Sequence, residues 1–219
     1  MFSFYHIIYF IAKKAFFFII ELIYFYYFPM WHIYFILWVA GSGKSTLISN
    51  LQKLDLPNYY HPISYKTRPM REYEKNWVDA WFLSKEDFFA QVQAWEFLEY
   101  AIVHETDYYG TKFVDVLDNG IHMWKTVVKE LDINGLEELK RNRPEMDELY
   151  STIFLNIPEN ILRERIEKRG AFMSDEELKR RLSSAVVEEQ KAEHLCDYII
   201  DATLSPEEVL KAFLNILDK

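Results

Sequence analysis

The nine residues Trp38-Val39-Ala40-Gly41-Ser42-Gly43-Lys44-Ser45-Thr46 restrict this chain more than any other stretch. Gly43, Lys44 and Ser45 complete the second half of a phosphate-binding loop, whose pattern is Gly, four residues, then Gly-Lys-Ser/Thr. Trp38 stands where the first Gly belongs, at a strand-to-loop turn where Gly relieves strain. In such a loop the backbone N–H groups around Ala40, Gly41, Ser42, Gly43 and Lys44 turn inward and enclose an anion. A helix opening near Lys44 adds its N-terminal dipole. Lys44 is expected to reach the β- and γ-phosphates of ATP, and the Ser45 hydroxyl to hold Mg²⁺. Ile33-Tyr34-Phe35-Ile36-Leu37 reads as the strand feeding the loop; Thr46-Leu47-Ile48 and Leu51 read as the helix leaving it. The bland alternative is a Gly-Ser-Gly turn beside a solvent-facing lysine.

A chain of 219 residues can build one α/β domain with a substantial core. Its net charge of −9 argues against nucleic acid or an anionic membrane as partner, so a small anionic substrate must be met by local Arg/Lys clusters. Cys196 is the only cysteine, which leaves no intrachain disulfide and points to a reducing, cytoplasmic setting. The six histidines have no metal-ligand spacing.

Composition changes near residue 38. Residues 1–32 are aromatic-rich and apolar, with Lys13, Lys14 and Glu21 as their only formal charges. Those charges interrupt the ~20 apolar residues that a spanning helix needs, and no small-residue cleavage site follows the apolar core. Three readings compete: a membrane-associated segment, an extension packed on the domain, or a wrongly translated or wrongly started N-terminus. The abrupt break favours the last, which also accounts for Trp38. Membrane association would run only through residues 1–32.

Downstream, the loop helix is expected to end near Leu54, and Tyr59 to Tyr65 to be extended. Ser84-Lys85-Glu86-Asp87 reads as a capping box. Asn119-Gly120 reads as a turn. Thr126 to Asp132 reads as a strand ending in acids, with Glu130 and Asp132 on one face. Ser151 to Ile157 is a further strand, followed by a helix over Glu159 to Lys168 and a Gly170 stop. Ser174 caps a long helix with Leu178, Leu182 and Val186 on one face. Asp197 to Ile200 is a short strand, and Ser205-Pro206 opens the last helix. Strands alternating with helices after a phosphate loop imply a parallel sheet covered on both faces.

Arg68 and Arg71 are three residues apart, and guanidinium forks suit bidentate phosphate recognition. Further on come Glu96-Phe97-Leu98-Glu99-Tyr100 and Asp107-Tyr108-Tyr109-Gly110-Thr111. From about Val39 to Leu217 the chain resembles a guanylate kinase, with several separate motifs in order. The resemblance implies a P-loop NTPase fold: a parallel core sheet covered by helices, a small GMP-binding subdomain at about 61–113, and a helical lid at about 163–182, all within a domain over 33–219.

It also implies residue roles. The family's Ser-x-Thr-Thr-Arg-x-x-Arg segment is matched by Ser64, Thr67, Arg68 and Arg71, with Lys66 for the first Thr. Arg68 and Arg71 would clamp the GMP phosphate. Glu74 matches a family acid. Ala80 replaces a phosphate-contacting Tyr, and a Gly expected near Trp77 is missing. Glu99 falls where the family reads guanine, whose adjacent N1–H and N2–H donors suit one carboxylate. Thr111 matches a base-reading hydroxyl and Tyr109 a phosphate-contacting tyrosine. Asp132 would lie near the guanine end. Arg165, Arg169 and Arg181 match lid arginines that stabilise charge on the transferred group; the bland reading is a salt-bridged surface helix.

The implied activity is ATP + GMP to ADP + GDP, with Mg²⁺ as cofactor and Lys44, Arg68, Arg165, Arg169 and Arg181 as catalytic cations. Two rivals stand beside it: a kinase for another phosphorylated acceptor such as a ribose bisphosphate, and a non-catalytic interaction module.

Overall fold

A computed structural model describes residues 32–103, 106–168 and 174–217. The expectations for residues 1–31, and those for Arg169 and Gly170, lie outside the described residues.

The compact unit that begins at His32 is built on a five-stranded sheet. Its strands are β1 (Ile33–Trp38), β2 (Tyr59–Tyr60), β7 (Thr126–Glu130), β8 (Tyr150–Asn156) and β9 (Tyr198–Asp201), in the order β2-β7-β1-β8-β9. Every pairing is parallel. A parallel sheet is buried on both faces, so its strands read as apolar runs rather than alternations. Accordingly Ile33, Phe35, Ile36 and Leu37 of the central strand are fully buried. The helices are α1 (Lys44–Lys53), α2 (Lys85–Gln93), α3 (Ile133–Asn142), α4 (Glu159–Lys168), α5 (Asp175–Leu195) and α6 (Pro206–Leu217). Phosphate loop and α1 follow β1 directly, which puts the loop at the carboxyl end of the sheet, the usual ligand side of such folds.

A second sheet comes from β3 (Tyr65–Lys66), β4 (Trp81–Phe82), β5 (Phe97–Val103) and β6 (Asp107–Lys112), in the order β4-β3-β6-β5. Its core is aromatic: Tyr65, Phe88 and Phe97 are buried together, with Trp81, Val92 and Tyr108 against them. Helix α2 supplies Phe88. Ser84 caps this helix by accepting from the Asp87 N–H at 3.0 Å, as the capping-box pattern requires. A bulge between Phe97 and Glu99 breaks the alternation of β5, so Phe97, Leu98 and Glu99 are buried in succession.

The extended stretch Tyr59 to Tyr65 holds parts of two strands: Tyr59–Tyr60 pairs with β7 and Tyr65–Lys66 joins the other sheet, with Pro62, which lacks an N–H, between them. Two local readings are corrected. Strand β7 stops at Glu130, so Asp132 does not share a strand face with it. Asp132 has an extended backbone and caps α3, its Oδ1 accepting from Gly135 N–H at 2.8 Å. Trp38 is the last residue of β1, paired with Leu155, and is absent from the positive-φ positions; the left-handed turns of the loop fall on Gly41 and Gly43. On α5, Leu178, Leu182 and Val186 share one face as expected and line a groove with Glu159 and Arg163, while Leu182, Ala185 and Ala192 are buried.

Gly120 shows how tightly the sheet is enclosed. A Cβ there would lie 2.4 Å from the Val116 carbonyl oxygen and 2.4 Å from Val127 Cγ2. The Gly120→Ala variant is expected to lose about 1–3 kcal/mol in urea unfolding, the usual cost of forcing a methyl into a packed core. An unchanged midpoint would mean that the backbone at Val116 and strand β7 yield more freely than this packing implies.

Candidate active site

The phosphate loop is braced from α4. A Cβ on Gly41 would meet Leu162 Cδ1 at 2.7 Å, and Arg165 donates to the Ser42 carbonyl at 3.2 Å and the Ala202 carbonyl at 2.8 Å. Gly41 (φ +112°) and Gly43 (φ +105°) adopt the left-handed geometry that turns the loop. Leu47 N–H then bonds the Gly43 carbonyl at 3.1 Å and starts α1. The buried Ser42 hydroxyl has no hydrogen-bond partner. Ser45 and Thr46 are exposed in the first turn.

Lys44 Nζ lies 3.9 Å from Glu130 Oε1 and 3.8 Å from the centre of the Trp38 ring. Burial, helped by the nearby Lys129 charge, pulls the Lys44 pKa down against the pull of Glu130. Glu130 is a hub. It also holds His61 Nε2 in a short contact and Lys129 Nζ at 3.5 Å. Burial works to raise its pKa, but Lys129, His61 and Lys44 outweigh burial and hold it well below the usual carboxylate range. Lys129, fully buried, donates from Nζ to Ser64 Oγ at 2.6 Å. One continuous chain therefore runs from Lys44 through Glu130 and Lys129 to Ser64, from the loop to the second sheet.

Arg68 is held in place before any ligand arrives. Its guanidinium makes a fork with Glu74 at 2.6 and 2.5 Å, and Nε donates to Tyr109 Oη at 2.9 Å. The Arg68 hydrogen bond pulls the Glu74 pKa down to about 2. Arg71 is tied to the same acid through its backbone N–H at 2.9 Å, and its guanidinium donates to Tyr73 at 3.0 Å. Lys66 lies 5.4 Å over the Tyr109 ring; burial, with the Arg68 charge, brings its pKa to about 8.

Glu99 and Thr111 are buried cross-strand neighbours. Burial pushes the Glu99 pKa up to about 8, against its hydrogen bond with Thr111. Gly135 is glycine because of this acid: a Cβ there would come within 2.9 Å of Glu99 Oε2 and 2.7 Å of Leu131 Cδ1. Asp132 is near enough to raise the Glu99 pKa electrostatically, and burial raises its own.

The expected residues thus form two groups. Ala40 to Thr46 and Arg165 gather at the loop; Ser64, Arg68, Arg71, Glu99, Tyr109, Thr111 and Asp132 gather on or beside the second sheet. Arg181 lies on exposed α5, and Arg169 is outside the described residues. Ala80 is fully buried. His61 and Lys129 went unread in the sequence: a lone lysine in an apolar strand looks like an edge residue, and no spacing links either to Glu130. No group of three or more His, Cys, Asp or Glu residues that could hold a metal occurs among the described residues. Cations on both sides suit two phosphorylated ligands, and the orphaned Ser42 hydroxyl and open Ser45 hydroxyl leave oxygen donors at the loop.

A family profile described as guanylate kinase matches residues 32–218. A guanylate kinase of Helicobacter pylori is 35% identical over 162 residues, 74% of this chain and 74% of that one. One from Campylobacter jejuni is 33% identical over 180 residues, covering 80% and 83%. A crystal structure of guanylate kinase from Anaplasma phagocytophilum superposes with a TM-score of 0.66 at 24% identity, over 86% of this chain and 85% of that one, which supports the fold.

The Glu99 environment makes stability depend on pH. Its folded pKa of about 8 lies above the ordinary 4.5, so between these values the folded chain holds a proton that the unfolded chain releases. Stability contributed this way is fully present below the lower value and is lost as pH rises through the upper one. Relative to Glu99→Gln, the parent should lose a few kcal/mol across that window in urea titrations at stepped pH. Parallel stability profiles for the two proteins would contradict the assignment.

Proposed function

The chain belongs to the guanylate kinase family and phosphorylates GMP from ATP; we propose that its residues divide this work between two subsites joined through Glu130. The Lys44–Glu130–Lys129–Ser64 chain carries the proposal, because it connects the phosphate loop to the acceptor sheet by direct contacts.

On the donor side, backbone N–H groups from Ala40 to Thr46 receive the ATP phosphates, and Lys44 follows the γ-phosphate as charge builds on it. Entry of a phosphate gives Lys44 a stronger anionic partner than Glu130. The Ser45 hydroxyl would hold Mg²⁺, which supplies charge neutralisation between the β- and γ-phosphates. Arg165, anchored to the Ser42 and Ala202 carbonyls, keeps the loop closed and places positive charge beside it.

On the acceptor side, Arg68, Arg71 and Tyr109 receive the GMP phosphate. Arg68 is already fixed by Glu74, so little side-chain entropy is lost when the anion arrives. Ser64 contributes a hydroxyl whose orientation is set by Lys129. Glu99 takes the guanine N1–H and N2–H as a carboxylate, assisted by Thr111, while Asp132 sets the field at that end. Because Glu99 is protonated at neutral pH when empty, guanine binding displaces its proton to solvent. Ala80 leaves one phosphate contact fewer than the family pattern provides. Arg169 and Arg181 complete the lid, which excludes water during transfer. Little covalent chemistry is required of the protein; positioning and electrostatics supply most of the rate.

A coupled ADP-release assay with ATP, Mg²⁺ and a panel of monophosphate and bisphosphate acceptors tests this division. GMP should be the preferred acceptor, and Lys44→Ala should abolish turnover. Glu99→Gln should raise KM for GMP roughly 10–100-fold, because an amide accepts one guanine donor and opposes the other. Parent-like turnover in Lys44→Ala would remove the loop from the chemistry.

A further inference from the structure

Four non-glycine residues among those described have left-handed backbones: Asp55 (φ +44°), Trp77 (φ +69°), Trp95 (φ +60°) and Trp124 (φ +63°). Aspartate visits this region readily, because a short polar side chain bonds locally, whereas a bulky side chain there is an outlier. Three of the four are tryptophan, in a chain with six tryptophans in all.

Each of the three sits where turn chemistry asks for glycine. Trp95 follows the last turn of α2: its N–H bonds the Val92 carbonyl at 2.9 Å, and Glu96 N–H bonds the Gln91 carbonyl at 3.1 Å. That pair of bonds is a Schellman motif, whose left-handed residue is usually Gly. Trp124 closes the short helix Ile121–Met123 in the same way. Its N–H reaches the Ile121 carbonyl at 3.0 Å, and Lys125 N–H reaches the Gly120 carbonyl at 3.2 Å. Trp77 is the third residue of a turn closed by Val78 N–H to the Lys75 carbonyl at 3.2 Å. A positive φ at that position alone defines a type II turn, which also favours Gly.

None of the three rings is buried in the core: they are 68, 65 and 47% exposed, Trp77 lying tilted against Trp81 at 6.1 Å and Trp95 under the Arg143 guanidinium at 5.4 Å. Trp81 is the contrast: it lies in a strand and stacks on Tyr65 at 5.9 Å with planes 8° apart. Trp38 makes a fourth member by position. It occupies the first Gly of the phosphate-loop pattern, and its ring covers the Lys44 amine at 3.8 Å. The chain has six glycines in 219 residues, well under the average usage of about 7%.

We infer that the protein working in its cell carries glycine at residues 38, 77, 95 and 124. Where these four codons are UGA, which some genomes read as tryptophan and others as glycine, one decoding rule places glycine at all four positions. Glycine at 77, 95 and 124 relieves three strained turns, and glycine at 38 uncovers Lys44. The activity arm of this inference rests on the GMP kinase reading; the stability and mass arms do not.

Three measurements test it. The triple variant Trp77→Gly/Trp95→Gly/Trp124→Gly should melt roughly 10 °C above the parent, from the strain released per residue and the entropy of a domain this size. The control Trp81→Gly should melt lower than the parent. Adding Trp38→Gly to the triple variant should raise kcat/KM for ATP roughly tenfold, with KM for GMP unchanged, as a desolvated cation–π contact is removed. Peptide mass spectrometry on the protein isolated from its natural source should find glycine at all four positions. A triple variant melting at or below the parent, or tryptophan found at 38, 77, 95 or 124 in the natural protein, overturns the inference. A stabilised quadruple variant with no GMP turnover would instead count against the assigned activity.

Discussion

The site depends on the Glu130 carboxylate. Lys44, His61 and Lys129 all converge on it from different parts of the chain. Lys44 belongs to the phosphate loop, His61 to the crossing into the second sheet, and Lys129 to the same strand as Glu130. A partly buried acid among these partners works only because the set is complete; removing one member leaves charge there poorly compensated. On the proposed assignment the arrangement also holds Lys44 where a phosphate arrives, so that an incoming phosphoryl group exchanges one anionic partner for another with little reorganisation.

The two subsites are prepared by different physics. At the loop the work is done by backbone: Gly41 and Gly43 supply left-handed geometry, and Leu162 and Arg165 press on the loop from α4. On the acceptor sheet it is done by side-chain pairs. The Arg68–Glu74 fork is a strong charge-assisted pair, and it lowers the Glu74 pKa to about 2. Glu99 is the opposite case, an acid buried beside Thr111 and kept near pKa 8. Thr111 supplies one hydrogen bond, and on the proposed assignment the remaining donors come from the ligand. A base lacking two adjacent N–H groups would then leave that acid unsatisfied, and such a mismatch discriminates more strongly than a lost favourable contact.

Much of this was legible in the sequence for reasons that can be named. The apolar run Ile33–Leu37 reads as a buried strand, and the Gly41-Ser42-Gly43-Lys44-Ser45 order that follows it reads as a loop turning into a helix start. Ser84 and Ser205 announced their helices through capping chemistry. Arg68, Glu99 and Thr111 followed from motif order, since local spacing alone would have left them as surface arginines and a solvated acid. What escaped depended on contacts distant in sequence. Ser64 and Lys129 are 65 residues apart, and His61 and Glu130 are 69 apart. Asp132 was misplaced because an acid after an apolar run reads equally well as a strand end or a helix cap; the Gly135 N–H decided for the cap.

The tryptophans show why some boundaries were hard to read at all. Turn punctuation in a sequence rests mainly on glycine, because only glycine adopts a positive φ without penalty. At 77, 95 and 124 the backbone keeps that geometry and the hydrogen bonds that close each turn. The surrounding packing over-determines these turns, so an unsuitable side chain is carried outward into solvent instead of reshaping them. The cost falls on local strain and leaves the topology alone. At position 38 the cost is of another kind, because the β1 backbone tolerates any residue there. What suffers is access to Lys44, whose amine the Trp38 ring covers at 3.8 Å and which, on the proposed assignment, moves from Glu130 to the nucleotide.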